Sequence, residues 1–103
     1  MISCTWDPAK AVRNHAKHGI LFEEAASALA DPFGLDFSDR EHSAVEERRR
    51  RIAMSDRARI LTVAYTLRSE HGQTHYRLIS ARPASRRERQ SYATPPSAPA
   101  IGS

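Results

Sequence analysis

Residues 60–67 read Ile60-Leu61-Thr62-Val63-Ala64-Tyr65-Thr66-Leu67 and carry the strongest strand pattern of this 103-residue chain. β-Branched, aromatic and apolar residues favour extended backbone, and here they alternate onto both faces. Because a strand that is apolar on both faces needs neighbours on both edges and cover on both sides, residues 60–67 are predicted to form the central strand of a sheet.

Four further strands are predicted around this segment. Apolar residues alternate with polar ones from Phe33 to Phe37, which is the period of two of a half-buried strand. Turns at 56–58 and 69–73 separate the later strands. Four consecutive arginines, Arg48 to Arg51, lie in one strand, and two of them are predicted to face each side of the sheet. These four strands cover residues 2–6, 33–37, 47–54 and 74–81.

Three helices are predicted from their end signals. The first spans Pro8 to His18, with Asp7 as its N-cap and proline at its first position. The second begins at Phe22 and ends at the Asp-Pro pair of residues 31 and 32. Ser85 and Glu88 have the spacing of a capping box, which starts a third, basic helix.

The predicted element order is β-α-α-β-β-β-β-α. This order indicates an α+β fold in which helices lie on one side of a mostly antiparallel sheet. A chain of 103 residues is expected to form one domain, assigned here to residues 1–93. Residues 94–103 are rich in Pro, Ser and Ala and have little to bury, so they are predicted to be a disordered tail.

Positive charge is concentrated in the second half of the chain. The formal net charge is +4, but residues 1–45 carry four Lys/Arg and seven Asp/Glu, whereas residues 46–103 carry twelve and five. This asymmetry indicates that the second half contacts a polyanion or an acidic protein.

The remaining composition points to a cytoplasmic protein. Cys4 is the only cysteine, so an internal disulfide is impossible. The N-terminus lacks the pattern of a signal peptide, and no apolar run approaches the roughly 20 residues of a membrane span. We therefore expect cytoplasmic localisation and no membrane partner.

Several short motifs together resemble one known family. They are Trp6-Asp7-Pro8 with Lys10 and Asn14, Lys17-His18-Gly19, Phe22-Glu23-Glu24-Ala25, His42-Ser43 with Glu46 and Arg48, and Ile79-Ser80-Ala81-Arg82 followed by Glu88-Arg89 and Tyr92. This set resembles the BrnT toxins of bacterial type II toxin–antitoxin systems, whose fold is similar to that of RelE-like ribonucleases. Ala53 and Ala58 stand where that family has glycines, which matters for the middle turn because alanine resists a positive φ.

The resemblance implies a ribonuclease toxin that cleaves RNA and inhibits translation. It also implies neutralisation by a BrnA-like antitoxin in a hetero-oligomer, with operator DNA contacted only through the antitoxin. No cofactor and no metal are expected. Cys4 and the histidines supply metal-ligand types, yet the sequence has no C-x-x-C pairing typical of a structural zinc site.

Metal-independent RNA cleavage needs a base for the 2′-hydroxyl proton, cations for the charge on the phosphorane, and an acid for the leaving 5′-oxygen. The candidate catalytic residues are His42, Glu46, Arg48, Arg82 and Tyr92. His42 suits acid or base work near neutral pH, and Glu46 would share a strand face with Arg48. The predicted RNA-binding residues are Lys17, His18, Arg77, Arg86 and Arg89.

Each candidate also has a purely structural interpretation. His42 could be a solvated loop residue, Glu46 with Arg48 a surface ion pair, and Tyr92 a packing residue of the last helix. Arg49 to Arg51 are expected to be a solvated or partner-facing run. The competing function is a non-catalytic basic module that binds nucleic acid or the antitoxin; a DNA-binding repressor is disfavoured because no helix-turn-helix pattern is present. Convergence of the catalytic candidates on one phosphate-sized pocket would favour the enzyme.

Overall fold

The computed structural model describes residues 3–39 and 47–93. Its elements are β1 (Cys4–Thr5), α1 (Pro8–His18), α2 (Phe22–Leu29), β2 (Leu35–Ser38), β3 (Arg48–Met54), β4 (Ile60–Glu70), β5 (Gln73–Pro83) and α3 (Arg86–Ala93). The predicted order and the α+β class are confirmed. No helix in the described ranges is both long and apolar enough to cross a membrane.

The five strands form one sheet in the order β1-β5-β4-β3-β2. β1 runs parallel to β5, and every other neighbouring pair is antiparallel. β4 is therefore the central strand, with β3 and β5 hydrogen-bonded to its two edges. This is the position that its apolar pattern on both faces predicted.

One face of the sheet, here called the inner face, carries Leu61, Val63 and Tyr65 of β4. Helices α1 and α2 cover it. Trp6 packs against this core, edge-on to Phe22 with ring centroids 5.8 Å apart, as expected of an anchor. The remaining core side chains are Ile20, Ala25, Ala28, Leu29, Ala53, Leu78 and Ala81.

The opposite face, here called the outer face, carries Thr62, Ala64 and Thr66 of β4. These small side chains are nearly inaccessible because longer side chains on β3 and β5 cover them. Glu88 of α3 binds Arg82 on this face, whereas Tyr92 of the same helix binds Asp31 after the end of α2, so α3 extends from the outer face toward the α2 side. The prediction that helices share one side of the sheet therefore holds for α1 and α2 only.

Asn14 fastens α1 to the edge of β5. Its side-chain amide donates to the carbonyl of Ala81 at 2.8 Å and accepts from the Ala81 N–H at 3.0 Å, so it replaces a neighbouring strand there. The same amide donates to the carbonyl of Ile20 at 3.0 Å. A buried edge that would otherwise have unpaired backbone groups is thereby satisfied, and the basic surface of α1 is held beside β5.

The run of four arginines divides between the two faces as predicted. Arg48 and Arg50 lie on the outer face, and Arg49 and Arg51 lie on the inner face. The outer pair borders the candidate site described below. The inner pair borders the α2 side of the sheet.

Arg51 corrects the expectation that Arg49 to Arg51 form a solvated or partner-facing run, because its guanidinium is buried. It donates to the carbonyls of Ala28 and Asp31 at the end of α2 and pairs with Asp36. The last carbonyls of a helix have no partner within the helix, and Arg51 binds one of them, that of Ala28, together with the carbonyl of Asp31 just after the helix. Its role is structural.

The strand boundaries differ from prediction at two turns. β2 begins at Leu35 because Asp31 accepts a hydrogen bond from the Phe33 N–H through its side chain and another from the Gly34 N–H through its carbonyl. Phe33 is left 76% exposed in this turn. β4 and β5 are longer than predicted, since a two-residue turn at His71-Gly72, with φ of 52° and 76°, joins them.

Candidate nucleic-acid interface

Three arginines of the outer face surround a small cavity. Arg48 and Arg50 approach it from β3 and Arg82 from β5, while Asp39, which follows β2, completes the wall. The floor consists of the small side chains of Thr62, Ala64 and Ser80. The cavity measures ≈ 140 Å³, the space of about four or five water molecules and enough for a phosphate group.

Strand register produces this convergence. Ala64 of β4 lies directly between Arg50 of β3 and Ser80 of β5, and Thr62 lies directly opposite Arg82. Neighbouring strands are about 4.8 Å apart, so arginines on β3 and β5 stand about 10 Å apart above the small residues of β4. Small residues on the central strand thus create a depression with cationic walls.

Asp39 is a buried carboxylate within this cationic site. The Nε of Arg50 donates to its Oδ2 at 3.1 Å, and its own backbone N–H donates to the carbonyl of Arg48 at 2.8 Å. The side chain of Asp39 is only 8% exposed. It can therefore fix the direction of the Arg50 guanidinium and can also accept a proton inside the cavity.

Arg82 is paired with Glu88 rather than left open to solvent. Its Nη1 and Nη2 donate to the two carboxylate oxygens of Glu88, and this pair lowers the pKa of Glu88 to about 2. The same carboxylate raises the pKa of Arg82. Glu88 also completes the predicted capping box, because it accepts from the Ser85 N–H at 2.7 Å and its own N–H donates to Ser85 Oγ at 3.2 Å.

Tyr92 lies away from the arginine cavity, near the end of α2. Its hydroxyl donates to Oδ2 of Asp31 at 2.6 Å, and this bond raises the pKa of Tyr92 to about 12. Burial works against ionisation of Asp31, but hydrogen bonds from Tyr92 and from the N–H groups of Met54 and Phe33 outweigh it and lower the pKa of that carboxyl. The structure therefore does not bring Tyr92 together with Arg48 and Arg82.

Lys17 and His18 border a second depression, of ≈ 330 Å³, between α1 and the edge of β5. Lys10 and Arg13 of the same helix line it, and Ser80 connects it with the arginine cavity. α1 has no acidic residue in its first turn, so its positive charge is not balanced locally. The basic residues of α1 therefore extend the positive surface of the arginine cavity past the edge of β5.

The remaining RNA-binding candidates occupy two other places. Arg77 lies on the outer face, directly opposite Thr66. Arg86 and Arg89 lie on α3, where Arg89 donates to the carbonyl of Ala84 at 3.2 Å. The candidates His42 and Glu46 lie outside the described residues.

Sequence reasoning did not select Asp39 and Arg50 as site residues. A signal for Arg50 was present, because it stands two positions after Arg48 and must share its face in a strand. Asp39 gave no local signal, since its place depends on how β2 pairs with β3. Within the described ranges, no group of three or more His, Cys, Asp or Glu side chains could hold a metal ion.

Comparisons with known proteins identify the family and support the fold. The family model described as "Ribonuclease toxin, BrnT, of type II toxin-antitoxin system" matches residues 6–88. The 1.1 Å crystal structure of the Brucella abortus ribonuclease toxin, BrnT, has a similar fold, with a TM-score of 0.60 and 24% sequence identity over 84% of this chain and 100% of that one. No curated protein matches the sequence. Since the family model covers most of the chain, including Arg48, Arg82 and Glu88, the protein belongs to the BrnT family of ribonuclease toxins of type II toxin–antitoxin systems.

Proposed function

We propose that this protein is a metal-independent endoribonuclease that cleaves RNA in the arginine cavity of the outer face and thereby inhibits translation. The observation that carries the proposal is the convergence of Arg48, Arg50 and Arg82 on one cavity of phosphate size. Family membership supplies the reaction class, ribonuclease. The charge of the cavity supplies the means of stabilising a phosphorane without a cation from solution.

The three arginines have related roles in this mechanism. Each guanidinium remains charged at any working pH and presents a planar set of donors to phosphate oxygens. Arg48 and Arg50 hold the scissile phosphate from one side, and Arg82 holds it from the other. As the 2′-oxygen attacks phosphorus and the 5′-oxygen leaves, negative charge develops on the oxygens between them, where the guanidinium groups stabilise it.

His42 and Glu46 remain the proposed base and acid. Their positions in the chain support this proposal, because both lie between Asp39 and Arg48, and these two residues line the cavity. One of the two takes the 2′-hydroxyl proton and the other protonates the leaving 5′-oxygen. Asp39 orients Arg50 during both steps. A catalytic role of Tyr92 stays a prediction, and this mechanism does not use it because the Tyr92 hydroxyl is engaged by Asp31.

The RNA is proposed to lie over the basic outer face and its border. Phe37 of β2 lies directly opposite Arg50 and is 40% exposed, so it offers an aromatic surface on which a base next to the cleaved bond can stack. Lys17 and His18 contact the strand beyond Ser80, and Arg77 contacts it on the other side. Arg86 and Arg89 extend the positive field along α3.

The proposed partner is a BrnA-like antitoxin that forms a hetero-oligomer with the toxin in the cytoplasm. Type II membership implies a protein antitoxin. The proposal that it covers the outer face follows from charge, because an acidic segment there would compete directly with RNA. Contact with operator DNA is assigned to the antitoxin alone.

A non-catalytic binding module is the second candidate. The observation in its favour is that cavity arginines are engaged within the protein, Arg50 by Asp39 and Arg82 by Glu88. A surface that only binds RNA needs no such buried carboxylate, however, and a carboxylate beside the phosphate costs affinity. The buried Asp39 therefore favours catalysis.

The deciding experiment is cleavage of a purified single-stranded RNA by the antitoxin-free protein in excess EDTA. The parent is compared with His42→Ala, Arg48→Ala and a matched control, Arg57→Ala, which removes one arginine from the exposed turn between β3 and β4. Cleavage that survives EDTA and Arg57→Ala but is lost in the other two variants supports the proposal. Binding by the parent without cleavage, with or without ribosomes, would establish the binding module instead.

A further inference from the structure

The outer face has another depression, separate from the one beside α1, that the proposed cleavage step does not use. It is open, measures ≈ 400 Å³ and is lined by Thr5, Arg68, His75 and Arg77. Three strands contribute to it, since Thr5 belongs to β1, Arg68 to β4, and the other two to β5. Arg68 is directly opposite His75, and Thr5 is directly opposite Arg77. All four side chains therefore lie on one face of the sheet.

This depression lies next to the arginine cavity on the outer face. Thr66 of β4 separates the two, with Arg48 of the cavity directly opposite it on β3 and Arg77 of the depression directly opposite it on β5. Along β4, Arg68 is four residues from Ala64 on the cavity floor, a distance of about 13 Å. The separation is longer than one phosphate group but short enough for one extended strand of nucleic acid to bridge.

The chemistry of the depression suits a phosphate group. Arg77 makes no ion pair within the described part of the chain, so its charge is available to a ligand. The hydroxyl of Thr66, at the junction with the cavity, is buried and has no hydrogen-bond partner among the described residues. Thr5 adds an exposed hydroxyl, and His75 adds a ring N–H donor.

We propose that Thr5, Arg68, His75 and Arg77 form a second phosphate-binding subsite for the backbone of the same single-stranded RNA whose cleaved bond lies in the arginine cavity. The inference rests on the proposed function and specifies its substrate as a single strand that crosses β4 and β5 along the outer face. Cationic side chains spaced along a sheet can contact successive phosphates of a flexible RNA backbone, as in other proteins that bind single-stranded nucleic acid. The subsite contributes affinity and register, whereas the cavity carries the reaction.

The test measures binding of a fluorescent 2′-O-methyl RNA of about ten nucleotides by anisotropy over a range of salt concentrations. This RNA lacks the attacking hydroxyl, so binding is measured apart from cleavage. The parent is compared with the double variant Arg68→Ala/Arg77→Ala, with Arg77→Lys, and with the matched control Arg57→Ala. Unfolding curves for each variant establish that the fold is intact.

The expected result is specific to phosphate contacts. The affinity for RNA falls as salt rises, and the loss of two contacts to a single strand makes this fall shallower, by about 1.4 in the slope of log affinity against log salt. The same loss weakens binding about tenfold at low salt. Arg77→Lys keeps the charge, so it retains the parent slope, and Arg57→Ala retains both slope and affinity. A double variant with the slope of Arg57→Ala would overturn the subsite.

The two proposals fail in different ways. If Arg48→Ala weakens binding and abolishes cleavage of unmodified RNA while the double variant behaves like the control, the subsite is wrong and the proposed function stands. If the double variant lowers the slope but the parent cleaves nothing, the subsite stands and the nuclease proposal is wrong. A double variant that loses only binding to the antitoxin would assign the depression to that protein and overturn the subsite.

Discussion

The guanidinium of Arg82 donates to both carboxylate oxygens of Glu88, at 2.7 and 3.0 Å, and this pair joins the end of β5 to α3. Arg82 also lines the arginine cavity. A phosphate entering the cavity therefore meets a guanidinium whose positive charge is already partly balanced by Glu88. The ion pair holds Arg82 in place, and in the proposed function it also opposes the binding of a phosphate there.

We expect Glu88→Gln to bind RNA more tightly than the parent. Glutamine keeps a side-chain oxygen for the Ser85 N–H and removes the negative charge beside Arg82. The expected gain is about threefold to tenfold at low salt, since one charge near the phosphate is removed. Anisotropy with a non-cleavable single strand measures it. Weaker binding by a folded Glu88→Gln protein would show that the pair positions Arg82 and does not compete with RNA.

The same pair predicts a pH dependence of stability. The pKa of Glu88 is lowered from 4.5 to about 2, so the stabilisation is fully present above pH 4.5 and is lost as the pH falls toward 2. At neutral pH we expect Glu88→Gln to lower the free energy of unfolding by about 1 kcal/mol, and this difference should shrink as the solution is acidified. Urea unfolding of both proteins across that range measures it. Glu23→Gln, at an exposed position on α2, controls for the loss of one carboxylate.

Asp39→Asn is expected to separate binding from catalysis. The amide can still accept from Arg50 but only as a neutral acceptor, so it fixes the direction of the guanidinium less firmly, and the cavity becomes more positive. Cleavage should fall by about tenfold or more, while affinity for a non-cleavable RNA stays the same or rises. Single-turnover cleavage alongside anisotropy distinguishes the two effects. An Asp39→Asn protein that cleaves at the parent rate would remove Asp39 from the mechanism.

The element order and the central strand could be predicted because the relevant signals are local. Residues 60–67 are apolar on both faces, and a strand of that kind has to be central. The alternation of a strand also placed Arg48 and Arg50 together on one side. The capping box at Ser85 was equally local, since Glu88 is three residues further along the chain.

The details of the site depend on contacts distant in sequence. The position of Asp39 beside Arg50 is set by the register of β2 against β3, which no short motif encodes. The second role of Glu88, as partner of Arg82, requires α3 to fold back over the outer face. Arg51 is buried because α2 ends above it, and its place in a run of four arginines gave no sign of that burial.

Tyr92→Phe is expected to lower stability and to leave most of the cleavage activity. The Tyr92 hydroxyl donates a partly buried hydrogen bond to Asp31, so its removal should cost about 1 to 2 kcal/mol in the free energy of unfolding. Tyr76→Phe is the matched control, because the Tyr76 ring packs on Tyr65 without a hydroxyl hydrogen bond among the described residues. If Tyr92→Phe loses cleavage but keeps its stability, Tyr92 acts in the reaction after all.

Ala58→Gly is expected to stabilise the protein. Ala58 adopts φ of 58° in the turn after β3, a conformation that costs an L-residue roughly 1 kcal/mol relative to glycine. Ala53, the other position where the resemblance predicts a glycine, differs because its side chain is fully buried against the core. Ala53→Gly should therefore lower the free energy of unfolding, by about 1 kcal/mol, as a residue in a strand loses its buried methyl group. Urea unfolding should give changes of opposite sign in the free energy of unfolding for the two substitutions, which would place the backbone strain at Ala58 and not at Ala53. A destabilised Ala58→Gly protein would mean that the positive φ of residue 58 is not strained.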